Sequence, residues 1–305
     1  MYLTLAAFAK CLSQPSVGLD IWRMQPLGSL LAGIIEERKI AMKIGFIGLG
    51  NMAKAMIGGM LAKGVAKPEE ILGFAKTEKT RQDVKEKYGI QILEDNAAVA
   101  ALADALILAV KPQMFGEVIR QIKDAVREDT LVVSIAAGKT IVQMEESFGK
   151  KIKLVRCMPN TPAMVGEGCS GVCRNELVED KEMEQCMELL GSFGIAEEVP
   201  ERLMDAVVGV SGSSPAFVFM FLEALADGAV KAGMPRAQAY RFAAQTVLGS
   251  AKLMLETGKH PGELKDMVCS PGGTTIEGVE ALEKRGFRSA VMTAVDACVK
   301  KSENM

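Results

Sequence analysis

The hydrophobic and polar positions of this chain follow two regimes. From residue 43 to residue 156, short apolar runs alternate with longer stretches whose apolar residues recur every three or four positions. The apolar runs predict strands at 43–47, 71–75, 105–110, 131–135 and 152–156. The periodic stretches predict helices near 51–63, 79–88, 95–103, 113–126 and 140–148. This alternation predicts a parallel sheet with helices on both faces. Gly166, Gly168 and Gly171 then punctuate a stretch that predicts a short strand pair. A helix near 180–191 and a closing strand at 196–199 follow. After Pro200 the regime changes. Residues 203–256 lack β-branched alternation and predict long helices, broken at Gly233-Met234-Pro235. Over 261–283 the pattern predicts a helix, a Ser-Pro-Gly-Gly turn and a second helix.

The first predicted strand runs straight into Gly48-Leu49-Gly50-Asn51-Met52-Ala53. A strand, a glycine turn and a helix N-terminus in this order let backbone approach a pyrophosphate, with free N–H groups and a positive dipole end facing it. Ala53 occupies the third glycine position, which the fingerprint allows. Gly48, Leu49, Gly50, Asn51 and Met52 are the expected pyrophosphate site of a dinucleotide, with Ile47 among the other cofactor-binding residues. The competing reading is a tight turn without a ligand. At the end of the second strand, NAD-selective sites place an acidic residue for the ribose 2′-hydroxyl. Here Lys76, Thr77 and Lys79 follow Gly73-Phe74-Ala75, and two cations with a hydroxyl suit a 2′-phosphate. NADP is therefore the expected cofactor, with NADPH preferred and NAD possible. Glu78 is the contrary sign. The fold class expected is α/β, with a Rossmann-like doubly wound sheet over 42–202.

Residues 1–41 stand outside this pattern. They hold the single tryptophan, Trp22, among scattered turn formers, and no charged side chain before Lys10, as a secretory n-region would need. Met42 is read as the functional start, and 1–41 as an extension outside the fold; an ordered extra helix is the alternative. The uncharged run 206–222 has Gly209, Ser211, Gly212, Ser213, Ser214 and Pro215 in its middle and is short for a bilayer. A buried helix explains it better than a membrane span. That much apolar helix in a small region predicts burial between subunits, so 203–305 reads as an all-α C-terminal dimerisation domain.

Composition narrows the chemistry. The net charge is −2 with no basic block, which argues against a nucleic-acid partner. Seven cysteines include no C-x-x-C pair, and His260 is the single histidine, so no metal site is expected. The cysteines read as reduced cytoplasmic thiols. Cys169 and Cys173 share a strand face and read as core.

The segment from Pro261 to Glu283 has a more specific character. Val268-Cys269-Ser270-Pro271-Gly272-Gly273-Thr274-Thr275 leads into a helix with two threonines at its start, where free N–H groups and hydroxyls form a carboxylate site or merely a helix cap. This spacing, continued by Gly278-Val279 and Leu282-Glu283, resembles the signature of the pyrroline-5-carboxylate reductases. The resemblance spans about 42–302. It takes in the glycine fingerprint, Ala109-Val110-Lys111-Pro112, Ser134-Ile135-Ala136-Ala137-Gly138, Arg156-Cys157-Met158-Pro159-Asn160-Thr161-Pro162 and Ser211-Gly212-Ser213-Ser214-Pro215-Ala216. One departure is that Gly258 and Lys259 stand where some members carry an acidic residue before His-Pro.

The resemblance implies NAD(P)H-dependent reduction of 1-pyrroline-5-carboxylate to L-proline. It implies that Ala109, Val110, Lys111, Pro112, Ala136, Ala137 and Gly138 line the ribose and nicotinamide, with Asn160 on the nicotinamide side. It implies Val268, Gly273, Thr274 and Thr275 at the substrate, with Thr275 acting on the imine. It also implies a homodimer or a decamer of five dimers. Lys111 has a second reading as a general acid, beside that of a strand-end lysine facing solvent or ribose. Two other functions fit parts of the pattern. The β-hydroxyacid dehydrogenases share the opening run but carry a catalytic lysine in a glycine-rich helix, which 211–223 lacks. A non-catalytic NADP-binding regulatory protein would leave the Thr275 turn without a purpose.

Overall fold

The computed structural model describes residues 42–304. The expectations for residues 1–41 lie outside them. Eight strands form one sheet in the order β3-β2-β1-β4-β5-β6-β7-β8. They are β1 (Ile44–Ile47), β2 (Ile71–Phe74), β3 (Gln91–Ile92), β4 (Ala105–Leu108), β5 (Leu131–Ser134), β6 (Lys153–Met158), β7 (Gly168–Arg174) and β8 (Gly194–Glu198). All neighbours are parallel except β6 and β7. β1, β4 and β5 are buried along their whole length, as continuous apolar runs in a parallel sheet must be.

The helices between the strands are α1 (Asn51–Ala62), α2 (Glu78–Tyr88), α3 (Asn96–Leu102), α4 (Phe115–Ile122), α5 (Ile141–Phe148) and α6 (Asp180–Gly191). Strand residues alternate between two core layers. Ile44 and Phe46 of β1 join Met56 and Met60 of α1 and Leu190 of α6 on one face. Ile47 joins Leu106, Phe115, Ile119 and Met144 on the other.

Two expectations need correction. The strand pair expected around Gly166–Gly171 is a 3-10 turn, Thr161–Val165, followed by the single strand β7. Gly166 ends that turn at φ +78, and a Cβ at Gly168 would stand 2.9 Å from the Phe193 carbonyl oxygen, so these glycines serve a reversal and a close approach. β3 carries too few residues to leave an apolar signature, and it was not expected.

The rest of the chain is helical. A short α7 (Met204–Val207) continues into a π-helical stretch, Val208–Ser213, then α8 (Ser214–Lys231). α9 (Arg236–Thr257), α10 (Pro261–Val268), α11 (Thr274–Lys284) and α12 (Phe287–Glu303) follow. The break at Gly233-Met234-Pro235 and the turn before Thr274 fall as expected. The π-helical stretch does not show in the periodicity. Its Gly209 lies where a Cβ would meet Val295 and Val299 of α12 at 3.1 Å, and Pro215 just after it lacks an N–H for the ladder.

Glu201 joins the two parts. Its Oε1 accepts from Ile141 N at 2.7 Å and from Nη1 of the buried Arg156 at 3.1 Å. The Ser302 hydroxyl, near the end of α12, donates to Asp205 at 2.6 Å. The helical run Glu201–Lys231 is long and apolar enough, by length and composition, to cross a membrane. It is not a core helix of the single chain. Val210, Phe219 and Met220 are exposed on it, as are Phe242, Leu248 and Leu255 on α9.

Candidate cofactor and substrate site

Gly48 follows β1 at φ +89, and its N–H donates to the Phe74 carbonyl at 3.0 Å. A Cβ there would lie 2.6 Å from the Ala109 carbonyl oxygen, so only glycine closes this turn. Gly50 is different. It is the N-cap of α1 in an extended conformation, no side chain caps the helix, and a Cβ would meet nothing within 4 Å. Among the described residues no side chain accepts from the first N–H groups of α1, which leaves them to an anion. Ala53 is fully buried in the core beneath. Leu49 is buried as well and packs over Gly73, so only its backbone faces the turn.

A cavity of about 770 Å³ opens at the C-terminal ends of β1, β2 and β4. Ile47, Gly48, Lys76, Ala109, Val110 and Lys111 line it, which brings six expected cofactor residues together. Lys79 is exposed at the second position of α2. Pro112, Ala137 and Gly138 line a smaller cavity of about 390 Å³, together with Lys301 of α12. Ala136 is buried, and Met52 is partly buried against the core. Asn51 lines a third cavity, with Lys54 of the same helix and Val165.

Of the lining residues that escaped the sequence reading, Asn96 has the most to offer a ligand. Asn96 is buried, its Nδ2 donates to Gln121 at 2.7 Å, and its Oδ1 has no partner among the described residues. An orphaned buried acceptor on a cavity wall fits a ligand hydroxyl. The Asp95-Asn96 pair read only as a helix start, which it also is: Asp95 caps α3 by accepting from Ala98 N at 2.7 Å.

Asn160 serves the fold. Its Nδ2 donates to the Ser211 carbonyl at 3.1 Å and its Oδ1 accepts from Cys169 N at 2.9 Å, so it ties β6 to β7 and to the π-helical stretch. His260 caps α10 through Nδ1, which accepts from Gly262 N at 3.1 Å. Lys111 is exposed, before a Pro112 whose peptide bond is trans. Burial raises the thiols of Cys157, Cys173 and Cys186, the last two to about 12, so these three are packing groups and not nucleophiles.

The threonine pair lies elsewhere. Gly272 turns the chain at φ +66, and Gly273 is the N-cap of α11 with no side-chain cap. Thr274 and Thr275 are the first two residues of that helix, so their N–H groups have no intrahelical acceptor. Val268, exposed, ends α10. α11 packs on α12. Residues 268–275 line neither the cavity at Gly48 nor the one at Gly138. The two halves of the expected site therefore share neither of these cavities.

An open, mostly parallel sheet with this glycine turn and cavity, joined to a helical region with exposed apolar faces, is the doubly wound, dinucleotide-binding class of protein, and comparison with known proteins makes it an NAD(P)-dependent oxidoreductase. Residues 43–138 match the family model described as NADP oxidoreductase, coenzyme F420-dependent, and residues 201–305 match pyrroline-5-carboxylate reductase dimerisation. The chain is 50% identical over 263 residues to pyrroline-5-carboxylate reductase of Escherichia coli (strain K12), covering 86% of this chain and 98% of that protein. It is 41% identical to the enzyme of Arabidopsis thaliana, over 87% and 96%. Among solved structures, the Coxiella burnetii enzyme aligns with a TM-score of 0.82 at 34% identity, over 87% of this chain and 98% of that one. A Plasmodium falciparum pyrroline carboxylate reductase with NADP bound aligns at 0.79 and 33%, over 88% and 99%. The chain belongs to the pyrroline-5-carboxylate reductase family. It is a homo-oligomer-forming enzyme with a small-molecule substrate, and the β-hydroxyacid dehydrogenase alternative falls away.

Proposed function

We propose that this protein reduces the C=N bond of 1-pyrroline-5-carboxylate to give L-proline, with NADPH as the preferred reductant and NADH as a possible one. The observation that carries the reading is the presence in one chain of two glycine turns that each lead into a helix, Gly48–Gly50 before α1 and Gly272-Gly273 before Thr274-Thr275. The first suits a pyrophosphate and the second a carboxylate. The open space at Gly50, the clash-closed turn at Gly48 and the orphaned Asn96 acceptor fit a dinucleotide. Gly48 to Met52 would hold its pyrophosphate, Lys76 and Lys79 its 2′-phosphate, Asn96 a ribose hydroxyl, and the 109–112 and 136–138 segments its nicotinamide half. When bound, the cofactor supplies the hydride to the imine carbon.

The chain's own residues then do the rest. Backbone N–H groups at Thr274 and Thr275 hold the substrate carboxylate, with Val268 and Gly273 shaping the pocket. The Thr275 hydroxyl donates to the ring nitrogen as it gains electron density. No acid–base dyad is required, because the imine arrives protonated or takes its proton from this hydroxyl or from water. Asn160 acts as a positioning residue that keeps β6, β7 and the π-helical stretch together near the nicotinamide side.

We further infer a cofactor domain over 42–202 and a substrate-binding and dimerisation domain over 203–305. Because the threonine turn lines neither cofactor cavity of its own chain, we infer that the complete site forms between two copies, cofactor residues from one and Thr275 from the other. The homodimer is the working unit, and light scattering separates it from a decamer of five dimers. The setting is cytoplasmic, where free thiols persist.

The test is oxidation of NADPH in the presence of 1-pyrroline-5-carboxylate. Turnover that needs both supports the reading. Tight NADPH binding with no turnover on this substrate would leave a non-catalytic NADP-binding regulator.

A further inference from the structure

Glu78 is the single carboxylate between Phe74 and Arg81, at the place where an acidic residue selects NAD by bonding the ribose 2′-hydroxyl. The structure gives this carboxylate another partner. Arg81, one turn further along α2, donates from Nε to Glu78 Oε2 at 3.1 Å, and its Nη2 bonds the same oxygen. Nη1 donates to the Ala75 carbonyl at 2.8 Å and reaches that of Lys76 at 3.4 Å. The guanidinium carbon lies 5.4 Å from the centroid of the Phe74 ring. Phe74, Ala75 and Lys76 all line the 770 Å³ cavity. The Arg81 side chain is 24% exposed, whereas that of Glu78 is 78% exposed. One planar fork thus spans a carboxylate, two carbonyls and an aromatic face, which an ammonium group could not do.

We propose that Arg81 is a cofactor-specificity residue that works through its neighbours. It pins the Ala75–Lys76 backbone against Phe74, so that Lys76 stands at the cavity, and it holds the Glu78 carboxylate away from the ribose end. A 2′-phosphate then meets cations, and the one carboxylate of the segment after β2 is engaged elsewhere. Arg81 itself is a positioning residue, its donors already committed within the segment. The proposal rests on the NADPH reading above.

The experiment measures kcat and KM with NADPH and with NADH for the parent, Arg81→Ala, Arg81→Lys, Glu78→Gln and the double variant Arg81→Ala/Glu78→Gln. The parent's own preference tests the NADPH reading; the change in preference tests the role of Arg81. Arg81→Ala is expected to lower the NADPH-to-NADH ratio of kcat/KM by roughly tenfold, the scale of one or two near charges at a wet site, through the KM for NADPH with kcat unchanged. Adding Glu78→Gln to it is expected to restore part of the ratio, because the freed carboxylate is gone. Arg81→Lys keeps the charge without the fork and should recover little. In the parent background, Glu78→Gln should change the ratio by no more than about twofold, since that carboxylate is already paired. Equal KM rises for both cofactors in Arg81→Ala would overturn the proposal. So would a double variant no better than the single one, or a large gain in NADPH preference from Glu78→Gln alone.

Discussion

Thr275 stands past the Gly273 N-cap, at the second position of α11, so its hydroxyl is not what starts the helix. The sequence left that open, because a threonine at a helix start reads equally as a cap. With the cap assigned to Gly273, Thr275→Ala should cost far less stability than the about 0.5–2 kcal/mol of a lost N-cap. It should instead lower kcat/KM by roughly 10- to 100-fold, the scale of one hydrogen bond to a charged group. Thr275→Ser should keep most of the activity. Parent-like turnover together with a lower melting temperature in Thr275→Ala would reverse this assignment. The buried thiols make a second prediction. Burial raises Cys186 to about 12, and Cys157 further still. In the unfolded chain a thiol ionises near about 8.5 while the native one stays protonated. Their contribution is complete below that pH and is lost as pH climbs toward the native values, at about 1.4 kcal/mol per pH unit for each thiol. Urea melts between pH 8 and pH 10 should show the decline, and Cys186→Ala should make it shallower.

The strand–turn–helix element β1–Gly48–α1 separates two uses of glycine that the motif alone presents as equivalent. Gly48 is demanded by the fold, since it sits at φ +89 with the Ala109 carbonyl where a Cβ would go. Gly50 has an ordinary φ of −74 and empty space beside it. Gly48→Ala should therefore destabilise the protein by about 1–3 kcal/mol. Gly50→Ala should melt like the parent, within about 0.5 kcal/mol. It should nonetheless raise the KM for NADPH, because its new methyl group enters the space where a pyrophosphate would approach. A parent-like KM in Gly50→Ala would move the phosphate site away from α1. The elements themselves were legible, because five buried apolar runs with periodic stretches between them admit little besides a βα alternation. β3 and the π-helical stretch were not legible. Two residues carry no period, and a π turn depends on what packs against Gly209.

At the scale of the molecule, apolar side chains remain on the surface of α8 and α9, and the threonine turn does not line the cofactor cavity. The proposed pairing of two copies accounts for both features. Phe219 is 61% exposed and Met220 is 67% exposed in the single chain. Phe219→Asp should yield a smaller species by light scattering and lose turnover while keeping NADPH binding by the sheet. A mixing experiment reads the shared site directly. Gly50→Glu, defective in cofactor binding, and Thr275→Ala are each weak alone. When refolded together they should recover activity in the heterodimers, which hold one intact site. No recovery on mixing would place both halves of the site in one chain.

The sequence by itself determined the parallel sheet, the glycine turn after its first strand, the change to helices after Pro200 and the threonine-bearing turn. Each of these rests on local periodicity or on a residue type that a backbone conformation requires. Tertiary structure alone decided which cations reach the cavity, that Arg81 holds Glu78, that the Asn96 acceptor is left without a partner and that Asn160 braces two strands. These depend on which distant residues fill the space around a side chain, and neither spacing nor composition encodes that. That Thr275 lines neither cavity belongs to the same class, since it depends on which faces of α11 and α12 fold against each other.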